Sequence, residues 1–290
     1  MKRLATLAAL VLLVVPSGAS TAEEILIPNV VAFARGANDS FWGTEIRLIN
    51  PTTSPKTFQV VEWIGSPRAR PFSKVVGAGE TSVIGGWELY TDWIWSEGGF
   101  YPTGQAEYGA AVCEAEDGLI VVSRTLTSTV REPGGPDSPW TCSGNSGGFV
   151  YHPDIFPFRT CNWGVGPMLY ADRSFFEPGR PQHLLMLNPR RNHYRTNLVI
   201  VNGDEEEASV SVEILAAAGR SATLTLQVPG KTYHQLNDIY ALAEFESLEL
   251  DSQDIRFFGQ RAVVTCSTRC FAIAYAISNE NNTVSIVEPR

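Results

Sequence analysis

The sequence predicts an all-β chain of two tandem β-sandwich domains, and three observations carry that expectation. A motif occurs twice: Trp42-Gly43-Thr44-Glu45-Ile46-Arg47-Leu48-Ile49-Asn50 returns as Tyr194-Arg195-Thr196-Asn197-Leu198-Val199-Ile200-Val201-Asn202. Each copy runs aromatic, Thr, then apolar residues at period two, and stops at Asn, which reads as a strand with one buried face ended by a turn residue. Copies 152 positions apart mean two similar domains rather than a short-period solenoid. Nearly every other readable segment is strand-like, and Gly, Pro, Asn and Asp punctuate the chain throughout. Helix-like stretches are few and short, around residues 87–93 and 237–244.

From the start, residues 1–22 read as an export signal. Lys2 and Arg3 precede the apolar run 4–15, Pro16-Ser17-Gly18 breaks it, and Ser20-Thr21-Ala22 is a small-x-small cleavage site. The run is shorter than the roughly 20 residues of a membrane span, so no integral anchor is expected and the mature chain should be exported, periplasmic or extracellular. Strands are expected at 25–33, 45–49, 57–64, 72–76, 81–84, 108–112 and 119–125 of a first domain, 23–130. The stretch 131–167 is rich in Gly, Pro, Ser and aromatics, including Trp140, Phe149, Tyr151, Phe156, Phe158 and Trp163. Such aromatics suit an ordered connector rather than a flexible spacer. A second domain, 168–290, should hold strands at 183–187, 197–201, 208–215, 222–228, 232–236, 255–258, 261–266 and 271–277. Beyond the motif, Phe58 and Val60 align with Val210 and Val212, Gly79-Glu80-Thr81 with Gly230-Lys231-Thr232, and Cys113 and Ile120 with Cys266 and Ile273.

The chain resembles a loosely defined group of exported bacterial proteins built from tandem immunoglobulin-like β-sandwiches. The residues that carry the likeness are Ile27-Pro28, Gly36-Ala37-Asn38, Phe41 to Leu48, Asn50-Pro51 and Ser123-Arg124-Thr125 in the first unit. In the second they are Arg195-Thr196-Asn197-Leu198, Val201-Asn202, Gln235-Leu236-Asn237 and Ala274-Tyr275-Ala276 with Asn279. The likeness implies two immunoglobulin-like sandwiches and a place outside the cytoplasm; it implies no activity.

Charge and cysteines bound the function. The formal net charge is −9, and losing the leader would remove two cations and no acid, which argues against a broad nucleic-acid-binding surface. Five cysteines in an exported chain favour disulfides. The expected pairs are Cys142 with Cys161 in the connector and Cys266 with Cys270 across a hairpin tip, although four paired cysteines allow three connectivities. Cys113 reads as a buried thiol.

No catalytic, cofactor or metal site is expected. Cys142-Ser143-Gly144-Asn145-Ser146-Gly147-Gly148 looks like the nucleophile loop of trypsin-like proteases, whose general base lies upstream. All four histidines, His152, His183, His193 and His234, follow Ser146, so a Gly-rich turn inside a disulfide loop is the expectation. His183 and His193 lack metal-ligand spacing, and Asn202 to Glu207 departs from a calcium loop and reads as a solvated hairpin tip. All seven tryptophans precede residue 164, and Trp87, Trp93 and Trp95 crowd into nine residues. Plugging a sandwich end is the plainer role for them; a stacking platform for sugar rings is the ligand-binding alternative. The functional expectation is therefore a non-catalytic binding or spacer module of the bacterial envelope or surface, with envelope protein or surface polysaccharide as partner. A carbohydrate-binding module is the alternative.

Overall fold

Val, Ile, Thr and aromatic residues at period two, broken every few positions by turn formers, leave this chain little but strands to form. The computed structural model describes residues 22–32, 34–35, 40–65, 71–89, 93–96, 99–102, 107–129, 163–165, 169–170, 174–188, 193–216, 220–248, 260–280 and 284–290. The first half holds β1 (Glu23–Ala32), β2 (Ala34–Arg35), β3 (Ser40–Ile49), β4 (Lys56–Ile64), β5 (Phe72–Val76), β6 (Thr81–Gly85), β7 (Trp93–Ser96), β8 (Gly99–Pro102), β9 (Glu107–Ala115) and β10 (Ile120–Thr129). Two short strands follow, β11 (Trp163–Val165) and β12 (Leu169–Tyr170). The second half holds β13 (Gln182–Leu187), β14 (Tyr194–Asn202), β15 (Ala208–Leu215), β16 (Ser221–Val228), β17 (Tyr233–Leu236), β18 (Gln260–Cys266), β19 (Cys270–Ser278) and β20 (Val284–Val287). Among the described residues the one α-helix is a single turn, α1 (Ala243–Glu246).

The two halves repeat one connectivity. In the first, β1-β9-β4-β5 form one sheet, and β10 and β6 flank β3 in the other. In the second, β13-β18-β15-β16 and β17-β14-β19-β20 are the counterparts. After the last core strand, each half sends a segment back along its free edge: β11 and β12 pair with β10, and β20 pairs with β19. All these pairings are antiparallel.

The four main sheets stack, and an apolar layer fills each of three gaps. Between the first half's sheets lie Ile27, Ile46, Leu48, Phe58, Ile84 and Cys113. Between the second half's sheets lie Leu184, Leu198, Ile200, Val210, Val212 and Ala272. The third layer joins the halves. Leu26, Ile64, Ala110 and Val112 on the far face of the β1-β9-β4-β5 sheet meet Val199, Val201, Tyr233, Phe271, Ile273 and Tyr275 on the β17-β14-β19-β20 sheet. The two inner sheets are thus buried on both faces, which is why β19 is buried at every position while β16 alternates.

Polar contacts fix the seam. The Tyr233 hydroxyl donates to Asn29 Oδ1 at 3.0 Å, Lys231 pairs with Glu62 at 2.7 Å, and Gly65 N–H donates to the Lys231 carbonyl at 3.2 Å. Gly65 has φ +81°, and any Cβ there would collide with Tyr233. Glycine is required on both counts.

The repeated motif proves to be scaffolding. Asn50 Nδ2 donates to the carbonyls of Ser54, Val76 and Gly77. Asn202 Nδ2 donates in the same way to those of Glu206, Val228 and Pro229. Both side chains are buried, and each ties the end of its own strand to the following turn and to the end of the fourth core strand of its half. The motif threonines act at the other end. The Thr44 hydroxyl donates to the Asn29 carbonyl and accepts from Val31 N–H, while that of Thr196 donates to the Asn188 carbonyl. Asn29 lies within the bulge of β1, and Asn188 immediately follows the bulged β13.

Strand pairing corrects parts of the internal alignment. Ile49 opposes Ile120 and Thr81, as Val201 opposes Phe271 and Tyr233. Phe58 opposes Ala115 as Val210 opposes Cys266. Cys113 therefore corresponds to Val264 and Ile120 to Phe271, each two residues from the sequence alignment. A slip of two leaves the in–out pattern unchanged, so hydrophobic alternation could not detect it. Gly79 corresponds to Lys231 rather than Gly230; both take positive φ, +70° and +49°. The helix-like stretch at 87–93 is also revised: a 3-10 turn spans Gly86–Leu89, and Trp93 opens a strand. The short apolar, aromatic and β-branched run Trp93-Ile94-Trp95 before Gly98-Gly99 is a strand-and-turn signal that outweighs the helical one. The strand expected at 255–258 lies outside the described residues.

Replacing Asn202 by Ala removes the donor to three carbonyls, of which that of Val228 is buried, and Asn50→Ala does the same in the first half, where the buried carbonyl is that of Val76. Each substitution should lower unfolding free energy by about 2–4 kcal/mol, read as a shift of the urea midpoint at unchanged slope.

Candidate functional site

The tryptophan-rich segment lies between β6 and β9, in the crossing that carries α1 in the second half. Its backbone forms a two-stranded ribbon that belongs to none of the four main sheets. Trp93 pairs with Pro102, Ile94 with Tyr101, Trp95 with Phe100 and Ser96 with Gly99. Strand alternation assigns positions 93, 95, 100 and 102 to one face of the ribbon and 94 and 101 to the other. Trp87 lies apart, in the 3-10 turn Gly86–Leu89. The structure does not describe the side chains of Trp87, Trp93 and Trp95.

A charged group that sequence reasoning missed lies on the outer face of the β3–β10 sheet. Glu45, 1% exposed, accepts from Arg47 Nε and, at 2.8 Å, from Arg124 Nη2. Glu45 stands directly opposite Arg124 in the ladder, so two motifs distant in sequence, Thr44 to Arg47 and Ser123 to Thr125, meet across one pair of strands. The second half has Asn197, Val199 and Tyr275 at the corresponding positions, where the sheet faces the seam instead. Among the described residues the charged set therefore marks the face of the repeat that is not joined to another main sheet. Repeated motifs compared position by position would have exposed the contrast.

At the β18–β19 tip, Cys266 and Cys270 form a disulfide with Cα atoms 6.3 Å apart. Gln182, wholly buried, donates to the Cys270 carbonyl and accepts from Ala272 N–H. Asp204 clamps the same tip, accepting from Arg269 N–H at 2.9 Å and from Arg269 Nε at 2.8 Å. Partial burial pushes the Asp204 carboxyl upward, but the two Arg269 hydrogen bonds and the charges of Arg269 and Lys231 outweigh it. The net shift is below the usual carboxylate range. The segment entering the second half docks here: Phe176 bridges to Cys270, Gly179 N–H donates to Cys266, and Arg180 and Arg269 lie over the Phe176 and Phe175 rings.

The remaining candidates separate in space. Cys142, Cys161, Ser146 and His152 lie outside the described residues. His183 exchanges backbone hydrogen bonds with Arg290, His193 faces Glu280 at 3.4 Å, and His234 sits on β17. Among the described residues no three His, Cys, Asp or Glu side chains gather as a metal site. In the acidic turn after β14, Asn202 and Asp204 spend their oxygens on Asp204 N–H, Thr268 and Arg269. Cys113 is a buried free thiol whose pKa burial pushes up, away from the reactive thiolate.

No protein-family model and no curated protein matches the chain. Among solved structures, the Anabaena sensory rhodopsin transducer is similar with a TM-score of 0.26 at 10% identity, covering 35% of this chain and 91% of that one. The structure of Thermotoga maritima 1070 is similar with a TM-score of 0.26 at 12% identity, covering 40% and 96%. Likenesses this slight carry no argument here about fold or activity.

The Asp204 clamp has a pH signature. A depressed carboxyl stabilises the fold above its unfolded pKa of about 3.9, and that stability is lost as pH falls through the lower folded value. Asp204→Asn should therefore be less stable than the parent above about pH 5, with the gap closing below about pH 4, as read by denaturant melts at each pH.

Proposed function

We propose that this chain is an exported, non-catalytic binding or spacer module of the bacterial envelope or cell surface, made of two tandem immunoglobulin-like sandwiches with boundaries near 23–130 and 168–290. The observation that carries the reading is the apolar seam between the halves. A continuous apolar layer, a buried Tyr233–Asn29 hydrogen bond and an obligatory Gly65 hold the two sandwiches in one orientation. A fixed spacing between two modules suits a part that holds other components apart or presents them. "Immunoglobulin-like" here means two facing sheets of seven core strands, with the second strand paired to the fifth and the third to the sixth. The first strand pairs with the sixth, the seventh with the second and the fourth with the third, so those three change sheets relative to antibody constant domains.

A second reading, carbohydrate binding through the Trp-rich stretch, is favoured by the ribbon register. Trp95 stands opposite Phe100, and Trp93 opposite Pro102, in the register of a ribbon outside the main sheets. Aromatic faces of that kind suit the apolar faces of sugar rings.

Retention of the purified chain on immobilised envelope proteins, peptidoglycan and insoluble polysaccharides tests both. The spacer reading expects retention on envelope protein that survives Trp93→Ala with Trp95→Ala. Retention on one glycan, lost in the folded double variant, would replace it with the carbohydrate reading. Turnover of a bound component would overturn both.

A further inference from the structure

We infer that the β16 edge is a self-association surface, through which two copies of this chain pair antiparallel and join their outer sheets. The inference rests on how the sheet edges are defended. A free strand edge offers unpaired N–H and C=O groups, and proteins blunt it with short strands, bulges, proline or charge. Among the described residues β1 carries Pro28 and a bulge, and β5 has only five residues, with Lys74 within and Pro71 before it. β13 is bulged and bridged to Pro289, β6 has five residues, and β17 and β20 have four each. β16 has Arg220 before it and Pro229 after it, but none of these devices within the strand. It runs eight residues, Ser221-Ala222-Thr223-Leu224-Thr225-Leu226-Gln227-Val228, without charge or proline and in unbroken register with β15.

The strand is also self-complementary. Leu224 and Leu226 pack on the core beside Phe245 and Leu248, while Ser221, Thr223, Thr225 and Gln227 are exposed. An antiparallel copy centred on Leu224 sets Leu224 against Leu224 and Thr223 against Thr225. Centred on Thr225, it sets Thr225 against Thr225 and Leu224 against Leu226. Either register keeps apolar positions together on the core face and neutral hydroxyls together outside. Two four-stranded sheets would then run on as one sheet of eight. Charge points to the same partner: a neutral edge gives a charged foreign strand nothing to recognise, and it spares two copies of an acidic chain from repulsion at the contact itself.

Sedimentation velocity of the whole chain over about 1–300 µM tests this, a range set by the modest size of an edge-strand contact. A reversible monomer–dimer equilibrium is expected. Thr223→Lys with Thr225→Lys, both at exposed positions, should weaken it at least about tenfold, because lysines meet in either register. Thr223→Glu with Thr225→Glu should do the same, and mixing the Lys and Glu forms should restore a dimer. Circular dichroism confirms that both variants fold. A wild-type chain that stays monomeric throughout, a dimer indifferent to the substitutions, or a mixture that fails to pair would each overturn the inference. So would capture by the edge of an extended peptide in place of a second copy.

Discussion

The seam between the two inner sheets is the constraint on which the rest of the structure depends. It requires that one sheet from each half be apolar on both faces, and the sequence of those strands follows from that requirement. β19 becomes an unbroken buried run, and β14 is buried at each of its last five positions. The joint is head-to-tail rather than two-fold. The sheet of the first half that ends on β5 packs against the sheet of the second half that corresponds to β3–β10, its opposite. A contact of that type would extend into a filament if the outer faces matched the inner ones. They do not: Arg47 and Arg124 stand where the second half has Val199 and Tyr275, and His183 and Arg261 where the first half has Leu26 and Ala110. Among the described residues the stack is of four sheets, and polar or charged side chains take those positions on its outer faces, much as polar caps end a repeat array.

Within each half, the same few side chains solve the same local problem. A sandwich of this connectivity must end its second strand, turn, and keep the fourth strand from fraying. One buried Asn does all three with three donated hydrogen bonds. The first strand of each half is bulged, and a Thr two residues into the repeated motif ties that region to the facing sheet. These residues recur because an unpaired buried amide or carbonyl is costly wherever it falls, and not because they meet a ligand. What the halves do not share is informative for the opposite reason. The aromatic ribbon of β7 and β8 has a one-turn helix as its counterpart, so it answers no need common to both folds.

Much of the architecture was legible in the sequence, and the limits have physical causes. Alternation and turn residues identified the long strands of both halves, and the recurrence of Thr and Asn identified the repeat. Strands of two to four residues, such as β2, β11 and β12, hold too few alternations to register as a pattern. Period two also hides slips of two, which is how Cys113 came to be aligned with Cys266 although it occupies the place of Val264. The seam itself was encoded in the doubly apolar runs of β1, β9, β14 and β19. A run buried on both faces does not say whether its second cover is another domain or another chain. Of the candidate site residues, Cys266 and Cys270 meet at a hairpin tip. Trp93 and Trp95 fall on one ribbon and Trp87 does not, and Cys142 and Cys161 lie outside the described residues.

The distribution of tryptophan supplies a direct measurement of the seam. All seven indoles precede residue 164, so their fluorescence reports on the first half and the connector, whereas far-ultraviolet circular dichroism reports on strands of both halves. Followed together through urea unfolding, the two signals should share one midpoint in the parent chain. Val201→Asp, which places a carboxylate in the apolar layer, should pull the midpoints apart. Midpoints already separate in the parent, or still coincident in the variant, would contradict the claim that this layer makes one cooperative unit of the two halves.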